Sequence, residues 1–159
     1  MSNGKKSIDR VQSDLISHGI ETAIKELPAS TRTAPEAALA VDCHVGQIVK
    51  SLVFQGSKSK KPYLILTSGS NQVDEGLVAE ITGERIKFAS ADFVREETGF
   101  AIGGVSPFGL TKEITTYIDE DLLDYDIIWA AAGSHHAVFC IQPGRLVSAI
   151  NGKVIAVHS

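Results

Sequence analysis

The spacing of apolar positions changes period several times along this chain, and each change marks an element. Ile8, Val11, Leu15 and Ile16 recur at helical spacing behind Ser7, a residue able to cap a first turn, and Gly19 ends the run. Residues 21–27 read as a short strand. Thr33-Ala-Pro-Glu36 has the form of a capping box with proline in the first turn, and the alanine-rich residues 37–41 that follow predict close packing against a neighbour. Residues 48–55 and 62–67 are β-rich runs separated by a polar Gly-Ser-Lys loop, the pattern of a hairpin. Asp74 caps a helix carrying Leu77, Val78 and Ile81 and stopped by Gly83; a short strand over 86–89 and a helix over 90–98 come next. Beyond a glycine-rich stretch, strands are predicted over 114–118, 126–132 and 135–141, a helical segment over 143–150 and a last strand over 153–157. Helices and strands alternate without a strict βαβ rhythm. The pattern predicts a mixed α/β fold built on a curved, largely antiparallel sheet with surrounding helices.

Composition narrows the class. The 159 residues suit one domain spanning 1–159, and 43% hydrophobic with 21% charged residues is ordinary globular balance. No apolar run approaches the roughly 20 residues that span a bilayer, and the polar start of the chain carries no secretory signal, so no membrane association is expected. Cys43 and Cys140 stand far apart and read as reduced thiols, which points to the cytoplasm. The net charge of −4 argues against a long grip on a nucleic-acid backbone, which needs a strongly basic face. An RNA partner would be held by a short end.

Three segments carry candidate chemistry. In the strand at 48–54, Lys50 shares a face with Ile48, Leu52 and Phe54, so its ammonium must reach water or meet an anion. An edge lysine that snorkels is the plain reading, and a pocket lysine facing phosphate or carboxylate the functional one. The second segment, residues 98–109, holds four glycines and Pro107, which excludes regular helix or central strand. Such a loop either forms a tight structural turn with Phe100 and Phe108 in the core or offers successive N–H groups to an oxyanion. It is not a Walker loop, because Leu110 stands where the lysine is required. The third segment, 131–139, contains His135 and His136. On a strand the two would face opposite ways, which makes them poor partners in one metal site, and parity does not choose between them.

Taken together, Lys50-Ser-Leu-Val-Phe, then Thr98-Gly-Phe-Ala-Ile-Gly-Gly-Val-Ser-Pro-Phe-Gly, then Ala132-Gly-Ser-His-His-Ala-Val-Phe resemble the YbaK/ProX family of aminoacyl-tRNA deacylases from about residue 20 onward. The resemblance implies a trans-editing hydrolase that cleaves the ester of a mischarged tRNA, with a small amino acid such as alanine or cysteine on tRNA(Pro). It matches Lys50 to the lysine that contacts the terminal nucleotide. Gly103, Gly104 and Pro107 match the loop that binds the ester carbonyl, and His136 matches the family histidine. His135 departs from the small residue, asparagine or proline often found there. Thr98 and Ser106 are expected to complete the pocket, and Ile48, Leu52, Phe100, Ile102 and Val138 to line it. The resemblance calls for no metal and no cofactor, since the substrate's own ribose hydroxyl is taken to help activate water. Its partner is the acceptor end of an aminoacyl-tRNA, with an aminoacyl-tRNA synthetase as a candidate second partner. A non-catalytic tRNA- or synthetase-binding module of the same fold, and a hydrolase of another small acyl ester, are the alternatives. The cognate amino acid, the tRNA and the oligomeric state stay open.

Overall fold

The computed structural model describes residues 3–27 and 33–158; Met1 and Ser2, part of the polar start, lie outside them. In chain order the elements are α1 (Asn3–Ser17), β1 (Lys25–Glu26), α2 (Ala34–Val41), β2 (Val49–Gly56), β3 (Pro62–Ser68), α3 (Glu75–Thr82), β4 (Ile86–Phe88), α4 (Ala91–Thr98), β5 (Thr115–Asp119), β6 (Ile128–Ala131), β7 (Ala137–Ile141), α5 (Pro143–Ala149) and β8 (Lys153–Ile155). Short 3-10 turns precede β2 and follow β5.

The strands form two sheets. The larger has the order β4-β2-β3-β5-β8, antiparallel across its first three members and parallel from β3 to β8. The smaller, β1-β7-β6, is antiparallel throughout. A parallel bridge from Ile48 to Trp129 joins the two. A mixed α/β fold with largely antiparallel strands, in two sheets, is therefore what the chain adopts.

Parity along the strands explains the layering, because alternate residues face opposite sides. Val49 and Val53 of β2, Leu64 and Leu66 of β3 and Ile118 of β5 face the main core, where they meet Phe139 of β7, Val11 and Leu15 of α1, and Phe100 and Phe108. Phe54, Ile65 and Tyr117 face the other side and pack with Val78 of α3. The central strand β3 is buried on both faces from Leu64 to Ser68. A third cluster joins Ala34, Ala37 and Ala38 of α2 to Ile48; small side chains let this helix lie close to the start of β2.

Two of the predicted caps form, at Thr33 and Asp74, and Ser90 caps a third helix. Thr33 accepts from the amide of Glu36, Asp74 from Leu77 and Ser90 from Phe93, each a bond worth about 1 kcal/mol to its helix. Three expectations are corrected. The first helix starts at Asn3, so Ser7 lies buried within it and is not its cap. Ile16 is 65% exposed, off the buried stripe that Val11 and Leu15 occupy. The strand expected over 21–27 is two residues long. Among the described residues no helix is long and apolar enough to cross a membrane.

Candidate active site

Both long crossovers of the larger sheet deliver a loop to the same place. The connection from β3 to β5 carries the glycine-rich loop, and that from β5 to β8 carries the β6–β7 hairpin with its turn at residues 132–136. These two loops, α2 and the first half of β2 enclose a cavity of about 420 Å³. Its walls are mostly apolar: Ala34, Pro35 and Ala37 from α2, Ile48 and Leu52 beside β2, Ile102, Trp129 and Val138. The polar groups are few: Thr33, Lys50, Ser51, Ser134 and His135, with the backbone of Gly69 and Gly103. A concave apolar pocket with a few fixed polar groups is the usual form of a small-ligand site.

Lys50 is half-buried, and its ammonium donates to the backbone carbonyl of Asn71. Asn71 is itself held by its side-chain amide, which donates to Asp119 Oδ2 at 2.9 Å and Asp121 Oδ2 at 2.8 Å. Asp119 is 1% exposed and also accepts from the amides of Ser68 (2.9 Å) and Asp121 (3.0 Å), so its buried charge is well satisfied. Burial pulls the pKa of Lys50 below the ordinary lysine value, and the charge of Asp119 opposes part of that shift. Hydrogen bonds from Asn71 and then His158 hold the Asp121 carboxyl below the usual range. Beside Lys50, the hydroxyl of Ser51 is buried with no hydrogen-bond partner among the described residues.

The glycine loop makes a tight turn over Ala101–Gly104, closed by a 3.0 Å bond from the Gly104 amide to the Ala101 carbonyl. Gly103 sits at the third position with φ +90°, a conformation glycine supplies and other residues resist. Gly104 serves a different need. A Cβ there would lie 2.9 Å from Ser134 Cα and 3.0 Å from the Gly133 carbonyl oxygen, so its bareness lets the two loops touch. The expected run of free amides is therefore shorter than the sequence implies. Gly104 donates within its own turn, whereas the Gly103 amide has no acceptor among the described residues.

Of the predicted pocket residues, Lys50, Gly103, Ile48, Leu52, Ile102 and Val138 line this cavity. Thr98, Phe100, Ser106 and Gly104 do not; they build the loop from within. The Thr98 hydroxyl donates to the Val94 carbonyl at 2.6 Å and accepts from the Phe100 amide, Phe100 is 1% exposed in the main core, and Ser106 accepts from the Phe108 amide. Pro107 lines a separate cavity of about 810 Å³ together with Leu110, Tyr117 and Lys153.

The histidines do not sit on a strand. Gly133 has φ +101°, and the Ala137 amide bonds back to the Ser134 carbonyl, so residues 133–136 form a turn and β7 begins at Ala137. His135 lines the cavity. His136 lies outside the lining, 41% exposed, with Nε2 3.9 Å from Glu26 Oε1. Sequence reasoning missed Ser51, Trp129, Ser134 and the Asn71–Asp119 brace. Ser51 and Ser134 stood inside the quoted motifs, and Trp129 had a signal as the one tryptophan of the chain in a predicted strand. Among the described residues no three His, Cys, Asp or Glu side chains gather in a way that could hold a metal.

The model of the aminoacyl-tRNA editing domain matches residues 28–149. The chain belongs to the aminoacyl-tRNA editing domain family. The match takes in Lys50, the glycine loop and both histidines and leaves α1 outside. A solved structure described as a candidate trans-editing enzyme for prolyl tRNA synthetase is 46% identical, with a TM-score of 0.90 over 96% of this chain and 97% of that chain. An uncharacterised Bacillus subtilis protein, YwhH, is 29% identical over 88% of each chain. EbsC of Enterococcus faecalis, named as a candidate Cys-tRNA(Pro)/Cys-tRNA(Cys) deacylase, is 27% identical over 76% of this chain and 74% of its own.

Proposed function

We propose that the 159 residues act as one trans-editing domain, an aminoacyl-tRNA deacylase of the cytoplasm that removes a small amino acid from mischarged tRNA(Pro). Membership of the editing-domain family makes the reaction hydrolysis of an aminoacyl ester. The observation that carries the finer reading is the cleft itself: one amine, one unengaged backbone amide and one imidazole, with a few hydroxyls, in a mostly apolar cavity of about 420 Å³. Relatives named for trans-editing of prolyl tRNA synthetase and for Cys-tRNA(Pro) support the choice of tRNA.

In this reading Lys50 meets the anionic end of the terminal nucleotide, and its ammonium leaves the Asn71 carbonyl to do so. The Gly103 amide donates to the ester carbonyl oxygen, where negative charge develops. Water attacks the carbonyl carbon and gives up its proton to the neighbouring ribose hydroxyl system. The ester C–O bond then breaks, and the ribose oxygen that leaves takes the proton. Free amino acid and uncharged tRNA result. His136 lies near Glu26 and outside the cavity lining, so in this reading His135 makes the imidazole contact. Positioning and a preorganised donor are enough for an ester that is already activated. The net charge of −4 fits a protein that grips only the acceptor end and receives it from a synthetase.

Deacylation of Ala- and Cys-tRNA(Pro), with correctly charged Pro-tRNA(Pro) as control, tests the reading in wild type, Lys50→Ala, His135→Ala and His136→Ala. Rapid release of one mischarged amino acid, lost in Lys50→Ala, is expected. A folded wild-type protein that hydrolyses none of them would refute it and favour a non-catalytic binding module. Hydrolysis only of small acyl esters unattached to tRNA would point to the other alternative.

A further inference from the structure

We infer that helix α1 is a positioning element of the editing cleft, acting through Arg10 and Asp14 on the glycine loop; the inference rests on the editing reading above. The loop from Gly99 to Gly109 brings Ile102 and Gly103 to the cavity, and its internal bonds are short-range: the Ala101–Gly104 turn, the Phe108 amide on the Ser106 hydroxyl and, at its start, the Phe100 amide on the Thr98 hydroxyl. Besides the 3.3 Å bond from the Thr111 amide to the Thr98 carbonyl at its base, one guanidinium ties its two ends together. Arg10 Nη2 donates to the Gly99 carbonyl at 2.7 Å and Nε to the Gly109 carbonyl at 3.1 Å, while the same group lies 4.7 Å over the Phe100 ring. Asp14 completes the clamp by accepting from the Gly109 amide at 2.7 Å. A planar fork of donors is suited to holding two carbonyls at a set separation, and a lysine is not.

The same helix also meets the other loop. A Cβ at Gly133 would come 2.7 Å from the Ser7 carbonyl carbon, and one at Gly109 3.0 Å from the Val11 amide nitrogen. Ser7, Arg10, Val11 and Asp14 follow i, i+3, i+4, i+7 spacing and so share a helix face. That face touches the glycine loop and the turn before His135, the two loops that contact each other at Gly104. Val11 and Leu15, both fully buried, already anchor the helix to the core. The polar clamp is therefore surplus to anchoring, and it lies on a helix outside the segment that the family model matches.

The test compares wild type, Arg10→Ala and Arg10→Lys on two mischarged tRNAs and follows amide hydrogen exchange in parallel. Misplacing the donor by a fraction of an ångström predicts a kcat lower by roughly 10- to 100-fold in Arg10→Ala, with KM little changed. Because Ile102 shifts with the loop, the ratio of kcat/KM for the two aminoacyl groups also changes, and Arg10→Lys recovers part of both. A merely structural role lowers the amount of folded enzyme and leaves that ratio fixed. In exchange, the Gly104 amide should lose protection in Arg10→Ala while β2 and β3 keep theirs. An unchanged ratio, or protection that is unchanged or lost uniformly, overturns the inference. If Arg10→Ala does not fold, Arg10→Lys is read by the same two criteria. If wild type hydrolyses no mischarged tRNA, the proposed function fails, and the exchange result alone decides the clamp.

Discussion

Gly133→Ala is the substitution that most directly probes the contact between α1 and the histidine turn. Two costs combine there. The residue has φ +101°, where an L side chain is strained by about 1–3 kcal/mol. The new Cβ would also lie 2.7 Å from the Ser7 carbonyl carbon and 2.9 Å from the Ile8 amide nitrogen, both backbone atoms of a helix that cannot swing aside as a side chain can. Overpacking of that kind costs about 1–3 kcal/mol more. The sum, about 2–6 kcal/mol, is a large part of the 5–15 kcal/mol typical of a whole domain. For a chain of this size each kcal/mol moves Tm by about 2–4 °C, so a fall of at least about 4 °C is expected. Gly83→Ala is the control, because Gly83 has φ +85° but nothing within 4 Å of its Cβ position. It pays the strain without the clash. Thermal and urea denaturation of both variants separates the terms. A Gly133→Ala variant no less stable than Gly83→Ala would show that α1 yields, and the argument for a rigid buttress behind the histidine turn would collapse.

Three further outcomes follow from charges and partners. Glu84 accepts from the amides of Lys58 and Ser59, the Ser59 hydroxyl and the Tyr63 hydroxyl, which hold its carboxyl at about 2 rather than the usual 4.5. Its contribution is then complete above the usual value and lost as pH falls toward 2, so Tm of Glu84→Gln should lie below wild type at pH 6 and converge with it at the acid end; a constant gap would contradict the assignment. Burial lowers the pKa of Lys50 below the usual 10.5, so binding of a non-hydrolysable aminoacyl-nucleotide analogue should weaken with rising pH at a midpoint below that value, and titration of Lys50→Gln should show no such limb. Finally, His135→Ala should slow deacylation by on the order of tenfold or more, as loss of a positioned polar group does, while His136→Ala should stay within about twofold; the reverse order would return the imidazole role to His136.

How far the sequence reveals this molecule depends on the range of the interaction concerned. Caps, the β2–β3 hairpin and the glycine turn are local, and Thr33, Asp74 and Gly103 announce them through side-chain bonding or backbone freedom within a few residues. Parity served well for the core positions of β2, where it set Val49 and Val53 on the face opposite Leu52 and Phe54. At His135 and His136 the strand itself is missing, because positive-φ Gly133 opens a turn that lasts until β7 begins at Ala137, yet only His135 of the two lines the cavity. The Gly104–Ser134 contact, the Asn71–Asp119 brace under Lys50 and the Arg10 clamp join residues 30, 48 and 89 or more apart, and no local pattern encodes them.

That division bears on mechanism. The parts that touch substrate in the proposed reaction are short motifs, one lysine on a strand and one amide in a turn, and such motifs are what a resemblance can carry from chain to chain. Their geometry is set elsewhere. Lys50 is oriented by a carbonyl whose residue is fixed by two carboxylates, and the Gly103 amide by a turn whose loop is closed at both ends by α1. A chain that kept Lys50, Gly103 and Gly104 but lost Asn71 or Arg10 would still be recognised as an editing domain. It would hold the same groups at less certain separations, and in a reaction driven by positioning that loss falls on kcat rather than on family membership.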